Sequence, residues 1–183
     1  MLYFVSSNKR KFANAQRILK NHSIDIKNID IPLLEIQSNF IKEIVLHKAD
    51  QAFSTLNKPL LISDHGWEIP GLKGFPGPYM KYMNEWLTAQ NFLDLTKNLT
   101  DRRIFLHEFV CFKNQTQTKI FKQTHTGVLL KTIQGDPEID YPAMTICSFI
   151  PGISEAEAIK SGKHSFNSEE LWENFANWYE KVM

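Results

Sequence analysis

Apolar and polar positions follow a helical rhythm through the first half of the chain and a strand rhythm through much of the second. Residues 2–5 are a short unbroken apolar run, the pattern of a buried strand, and Ser6-Ser7-Asn8 reads as the turn after it. Phe12, Ala15, Ile18 and Leu19 then recur at helical spacing. Residues 29–36 predict a strand interrupted by Pro32. A second helix is predicted over 38–56, with Ile41, Ile44, Val45, Ala49, Ala52 and Leu56 on one face. A second buried strand covers 60–63. After a Gly/Pro-rich loop, residues 79–99 predict helix, broken in two near Ala89-Gln90-Asn91.

The rhythm then changes. Residues 103–113 and 118–132 are rich in β-branched and aromatic side chains and flank Asn114-Gln115-Thr116-Gln117, which predicts an antiparallel hairpin. A last strand is expected over 143–150, ending at Pro151-Gly152. Ser154 with Glu157 forms a capping-box signature for a short helix. The C-terminal helix starts at Asn167 or Ser168 and places Leu171, Phe175, Trp178, Tyr179 and Val182 on its buried face. These elements predict an α/β fold: one mixed sheet with flanking helices, in a single domain over 1–183 with two lobes around a central cleft.

Against this background a few residues stand out chemically. In the run Ile62-Ser63-Asp64-His65-Gly66-Trp67-Glu68, a carboxylate ends an apolar segment; Gly74 to Lys81 then supplies a turn-dense loop and a cation. An acid at a strand terminus, backbone N–H groups in a loop and a lysine at the next helix start suit magnesium-assisted attack on a polyphosphate. An ordinary turn has the same local look. Lys48 falls between Ile44 and Ile41 on the apolar stripe of its helix. It reads either as a lysine snorkelling past the core or as an ammonium aimed at an anion. Lys11 lies in the first turn of its helix beside Ser6-Ser7-Asn8, which reads as an anion-binding helix N-terminus or as a simple Asn cap. Glu35, in an otherwise apolar segment, sits on a solvent face or pairs with Asp64 to hold Mg²⁺. Phe75, Tyr79, Tyr82 and Trp86 read as core packing in preference to a base-stacking wall. His65 reads equally as a base, a phosphate donor or a turn residue.

Composition narrows the partners. With 183 residues, 43% hydrophobic and 22% charged, the chain is long and apolar enough for a full core. A formal net charge of +1 gives no global field for nucleic acid or an anionic membrane, so an anion must be held by local cations. Cys111 and Cys147 are too few for a disulfide framework or zinc site. The apolar start precedes Lys9, Arg10 and Lys11, the reverse of a signal peptide, and no apolar run reaches membrane-spanning length. A cytoplasmic protein is expected.

Together these segments resemble the inosine/xanthosine triphosphate pyrophosphatase family, whose fold is also shared by Maf-like pyrophosphatases. Ser6-Ser7-Asn8-Lys9-Arg10-Lys11 is similar to that family's Thr/Ser-Gly-Asn-x-x-Lys phosphate loop. Leu34-Glu35-Ile36-Gln37 is similar to its Pro-Glu-Ile-Gln, which carries a metal-binding glutamate. Lys48-Ala49 matches a Lys-Ala whose lysine faces phosphate, and Asp64-x-Gly66 matches an Asp-Ser/Thr-Gly with a catalytic aspartate near the metal. Gly74 to Tyr82 follows the family's Gly-Leu/Phe-Pro-Gly-Pro-Tyr-x-Lys-Trp almost residue for residue.

The resemblance implies Mg²⁺-dependent hydrolysis of nucleoside triphosphates, deaminated purine nucleotides among them, to monophosphate and pyrophosphate by a homodimer. It makes Asp64 catalytic and, with Glu35, metal-binding. It makes Ser6, Ser7, Asn8, Lys11, Lys48, His65, Gly66, Phe75, Gly77 and Lys81 substrate-binding. There are departures. Ser63 stands where the family has an acid, and His65 where it has Ser or Thr. Ala143 to Phe149 replaces Phe-Gly-Trp-Asp-Pro-x-Phe, and Ser165-Phe166-Asn167 replaces the base-reading Ser-His-Arg. Phe166 and Asn167 are then the candidates for contacting a base, of open identity. Two other readings share the fold: a nucleotide-binding protein with impaired turnover, and a pyrophosphatase with a different base preference.

Overall fold

The structure, a computed structural model, describes residues 1–163 and 166–182. Its strands are β1 (Leu2–Val5), β2 (Ile26–Ile29), β3 (Leu60–Glu68), β4 (Pro76–Gly77), β5 (Arg103–Lys113), β6 (Thr118–Leu129) and β7 (Cys147–Ser148). Its α-helices are α1 (Lys9–Lys20), α2 (Ile41–Leu56), α3 (Met80–Trp86), α4 (Ala89–Thr96), α5 (Glu155–Lys160) and α6 (Glu169–Val182). The sheet order is β2-β1-β3-β5-β6-β7, with β4 on β3. β1 runs parallel to β2 and β3, whereas β4 and β7 pair antiparallel with β3 and β6. A mixed α/β sheet is what the sequence predicts.

The chain divides into two compact units. One contains Met1–His65, Glu108–Gln123 and the chain from Ser168 onward; the other contains Gly66–His107 and Thr124–Asn167. In the first unit, strand alternation sends successive side chains into two different cores. Leu2, Phe4, Leu61, Val110 and Phe112 pack with Ile18 and Leu19 of α1 and with Leu171, Trp172 and Phe175 of α6. Val5, Leu60, Ile62, Phe109 and Cys111 pack with Ile41, Ile44, Val45, Ala49 and Ala52 of α2. Each large apolar side chain buried this way contributes about 1.5–3 kcal/mol. In the second unit, Trp67, Ile69, Met80, Met83, Phe92, Ile104 and Leu106 form the centre of a separate core.

Several expected elements are displaced. The strand expected over 29–36 is β2, three residues earlier, and residues 30–38 are neither helix nor strand. β2 stays in register with β1 only as far as Val5 opposite Ile29, and Pro32 has no N–H for a ladder. The strand expected over 60–63 continues to Glu68, because β4 pairs with Trp67 and Glu68. Asp64 is therefore inside a strand and not at its end. The helical stretch 79–99 breaks at Leu87 and Thr88, ahead of the expected site. There Thr88 Oγ1 accepts from Asn91 N–H at 3.1 Å and Asn91 Oδ1 accepts from Thr88 N–H at 3.1 Å. The strand expected over 143–150 is a 3₁₀ turn (Pro142–Thr145) followed by the two-residue β7; a proline at the first position favours a helical start. α6 buries Leu171 and Phe175 as expected, but Val182 is exposed and Trp172 takes the core position instead.

Both cysteines are fully buried. Burial pushes the Cys111 thiol up to about 12, with Lys113 opposing and Asp50 reinforcing the shift, and it also pushes Cys147 well up, aided by Glu155. A raised pKa depletes the reactive thiolate. The native protein is therefore expected to take up no iodoacetamide at pH 8 under conditions that label both thiols after urea unfolding. Native labelling as fast as unfolded labelling refutes this.

Candidate active site

The parallel strands β1 and β2 end at one cavity of about 310 Å³ in the first unit, and β3 passes it at Ile62, Ser63 and Asp64, just beyond the residues that pair with β1. Carboxyl ends of parallel strands are where open α/β sheets bind ligands. Ser6, Ser7 and Asn8 reach it from the end of β1, Ser63 and Asp64 from β3, Lys11 from α1, Lys48 from α2, and Glu35 from the segment after β2.

Asp64 is the centre of this arrangement. Lys48 Nζ lies 2.6 Å from Asp64 Oδ2, and the same ammonium also bonds Glu35 Oε1. Lys11 Nζ stands 3.4 Å from Asp64 Oδ1 and 3.3 Å from the Ser63 carbonyl oxygen. His65 N–H donates to Asp64 Oδ1 at 2.9 Å. Desolvation disfavours the Asp64 carboxylate, but the charges of Lys11 and Lys48 and the Lys48 hydrogen bond outweigh it and bring its pKa to about 2. For Lys48, desolvation works to lower the pKa, yet attraction to Asp64 and hydrogen bonds to Asp64 and Glu35 raise it above the ordinary lysine value. The cavity is thus lined by three carboxylates, Asp30, Glu35 and Asp64, and by the two ammonium groups of Lys11 and Lys48.

Of the two readings for Lys48, the ammonium aimed into a cavity is the arrangement found. Its side chain is only 18% exposed. The Glu35 side chain is 58% exposed and meets the Lys48 ammonium. Asn8 takes the cap role, its Oδ1 accepting from Arg10 N–H at 3.0 Å and Lys11 N–H at 3.2 Å, while Asn8 N–H donates to Ser6 Oγ at 3.0 Å. That carbonyl oxygen faces helix donors and not an anion.

The remaining candidates lie elsewhere. Alternation along β3 puts His65 on the face opposite Asp64, toward the α1 and α6 side. The residue is exposed. Its pKa falls below the ordinary histidine value through desolvation and the charge of Lys11, against the pull of Asp64 and Glu108. Gly66, Phe75, Gly77, Lys81, Phe166 and Asn167 belong to the second unit. Lys81 does start a helix, but its side chain is 77% exposed and pairs with Glu85 one turn along, at 3.7 Å. Gly77 has φ near +60° opposite Trp67, a backbone need that glycine meets. Phe166 packs at 4.7 Å from the Phe149 ring and 5.7 Å from His125. Asn167 is exposed just before α6. Ser165 lies outside the described residues.

The expected core role is overturned for three of the four aromatic residues, while Tyr79 is half-buried. Phe75, Tyr82 and Trp86 are exposed. α3 buries Met80 and Met83 instead, leaving Tyr82 and Trp86 on another face, where their rings lie 5.3 Å apart. One cavity residue went unnoticed in the sequence: Asp30, directly after β2. A carboxylate ending a parallel strand was the available signal, hidden because the predicted strand began at residue 29 and ran through it.

Residues 2–167 match the Ham1 family. The chain belongs to the Ham1 family. A dITP/XTP pyrophosphatase of Methanopyrus kandleri is 27% identical over 181 residues, covering 96% of this chain and 94% of that protein. One from Ignicoccus hospitalis is 34% identical over 111 residues, covering 60% and 57%. The Staphylococcus aureus Ham1 protein has the same fold, with a TM-score of 0.77 over the whole of both chains at 22% identity. The resemblance read from the motifs is thereby borne out at the level of the family and the fold. Among the described residues, no helix is long and apolar enough to cross a membrane.

Proposed function

We propose that this Ham1 chain is a nucleoside triphosphate pyrophosphatase acting on deaminated purine nucleotides, releasing the monophosphate and pyrophosphate. One observation carries the reading: Glu35 and Asp64, from separate segments, converge on a single ammonium in a cavity that also holds Lys11. The names of curated relatives along most of the chain support it.

The donor set fits a hard divalent cation. Two carboxylates meet at one cation position, and no group of three or more His, Cys, Asp or Glu suited to a metal occurs among the described residues. Mg²⁺ takes one or two carboxylates and completes its shell with water and phosphate oxygens. Glu35 and Asp64 would hold it, and it would polarise a phosphate oxygen and acidify bound water. The chain's own groups do the rest. Lys11 and Lys48 neutralise the triphosphate and the charge that builds on the departing pyrophosphate. A pKa of about 2 makes Asp64 a group that orients the attacking water more than one that deprotonates it. That depression weakens when phosphate oxygens take over the two ammonium groups. Water oxygen then bonds to the α-phosphorus as the bond from phosphorus to the bridging oxygen of the departing pyrophosphate breaks, and the proton that water sheds passes by way of Asp64 to solvent.

The substrate roles of His65, Gly66, Phe75, Gly77, Lys81, Phe166 and Asn167 rest on the resemblance alone, as does the homodimer; Ser6, Ser7 and Asn8 also line the cavity, and the cytoplasmic location rests on the sequence composition. A different base preference is the second reading, favoured by Phe166 lying against Phe149 where the family carries a polar base reader. Pyrophosphate release from dITP, XTP and the four standard deoxynucleoside triphosphates with Mg²⁺ tests both. Faster turnover of dITP and XTP is expected. A preference for a standard nucleotide supports the second reading, and binding without release from any of them overturns both.

A further inference from the structure

Nothing in the regular secondary structure fixes Glu35. Residues 30–38 connect β2 to α2 without helix or strand, so their path depends on what ties them down. Ile31, Leu33 and Ile36 pack partly against the α2 core, but the Leu34 side chain is 78% exposed and anchors nothing by burial. The Leu34 backbone is instead held by one side chain, Gln51 of α2. Leu34 N–H donates to Gln51 Oε1 at 3.0 Å, and Gln51 Nε2 donates to the Leu34 carbonyl at 2.7 Å.

Two bonds to one residue's N–H and C=O imitate the pairing a neighbouring strand would give. They also dictate which way the amide points, since a backbone N–H only donates and a carbonyl only accepts. The Gln51 nitrogen also lies 2.8 Å from His47 Nδ1, one turn back on α2. An amide nitrogen only donates, so Nδ1 accepts here and the imidazole proton sits on Nε2. Both polar atoms of the Gln51 amide are therefore engaged, and no competing orientation satisfies all three partners.

Glu35 follows Leu34 directly, with its Cα about 3.8 Å further along the chain. Lys48, which meets the Glu35 carboxylate, stands on α2 between His47 and Gln51. One short length of helix thus fixes the backbone beside Glu35 and contacts its carboxylate. We propose that Gln51 is the positioning residue for Glu35, clamping Leu34 so that the Glu35 and Asp64 carboxylates share one cation position. The inference rests on reading these two acids as the metal-binding pair. Without the clamp, a mostly exposed glutamate on an irregular segment samples many positions and converges with Asp64 in few of them. Removing a group that orients a ligand from outside typically weakens metal binding about 10- to 100-fold. Gln51 acts through the backbone, which puts its effect near the lower figure.

The test is calorimetric titration of the nucleotide-free full chain with Mn²⁺, using wild type, Gln51→Met, Gln51→Asn and Glu35→Gln. Methionine keeps the length of glutamine without its hydrogen bonds; asparagine keeps the amide but is too short to reach Leu34. Both Gln51 variants are expected to bind Mn²⁺ about tenfold more weakly. Their half-maximal metal concentration for pyrophosphate release should rise by a similar factor, with kcat at saturating metal near wild type. A purely structural role moves the metal-free melting curve and not this split. Wild-type Mn²⁺ affinity in both Gln51 variants, with weakened binding in Glu35→Gln, overturns the positioning role and leaves the metal pair standing. Unchanged affinity in Glu35→Gln as well overturns both.

Discussion

Asp64→Asn is expected to lower pyrophosphate release at least about a thousandfold while the protein still folds. Asparagine keeps the shape of the side chain and an oxygen for the His65 N–H, so the strand around it has no reason to move. What disappears is the negative charge that Lys11 and Lys48 surround and that a divalent ion needs. The same substitution has a signature in stability. The folded pKa of Asp64 is about 2, against an ordinary value of 3.8. A depressed carboxylate pKa adds stability that is complete above the unfolded value and lost as pH falls through the folded one. For metal-free wild type that increment is on the order of 2 kcal/mol, disappearing between about pH 4 and pH 2. Asp64→Asn lacks the increment at neutral pH and so has no such step. Urea midpoints between pH 2 and pH 7 in EDTA measure it. Turnover by Asp64→Asn within tenfold of wild type removes Asp64 from the mechanism.

Part of the charged cavity was legible because Lys48, Glu35 and Asp64 each break a local rule. Lys48 interrupts an apolar stripe, Glu35 sits in an apolar segment, and Asp64 lies two positions past the buried run Leu60-Leu61-Ile62. A charge at such a position has to be stabilised by something, and the structure supplies opposite charges for all three. Alternation and helical spacing likewise located the cores of α1, α2, β1 and β5 within a few residues.

What failed depended on partners distant in sequence. The extension of β3 past Asp64 needs β4, and two residues of strand leave no periodicity to detect. The end of β2 is set by where β1 stops, so residues 29–36 looked like a strand that has no neighbour to pair with. Tyr82 and Trp86 lie four residues apart, which reads as one buried helical face; Met80 and Met83 make an equally good face and took the core. Gln51 is invisible from sequence for a related reason. Its two bonds go to the backbone of Leu34, and a backbone partner carries no residue-type signal.

Lys48→Met separates two quantities that most active-site substitutions reduce together. Lys48 is at present the only cation seen bonding both Glu35 and Asp64 among the described residues, so a divalent ion must displace its ammonium to sit between them. Methionine fills similar space on the flank of the α2 stripe and carries no charge. With the competitor gone, the two carboxylates repel each other and gain more from a metal ion, and affinity for Mn²⁺ in the absence of nucleotide is expected to rise. Turnover moves the other way. One of the two ammonium groups proposed to face the triphosphate is lost, and removing one such fixed charge typically lowers kcat about a hundred- to a thousandfold. Calorimetry with Mn²⁺ and a pyrophosphate assay on the same preparation read both. If Lys48→Met binds metal more weakly than wild type, the ammonium is not standing in the cation's place. If it turns over normally, the ammonium is not neutralising the substrate either, and Lys48 would serve only to hold two acids together in the empty protein.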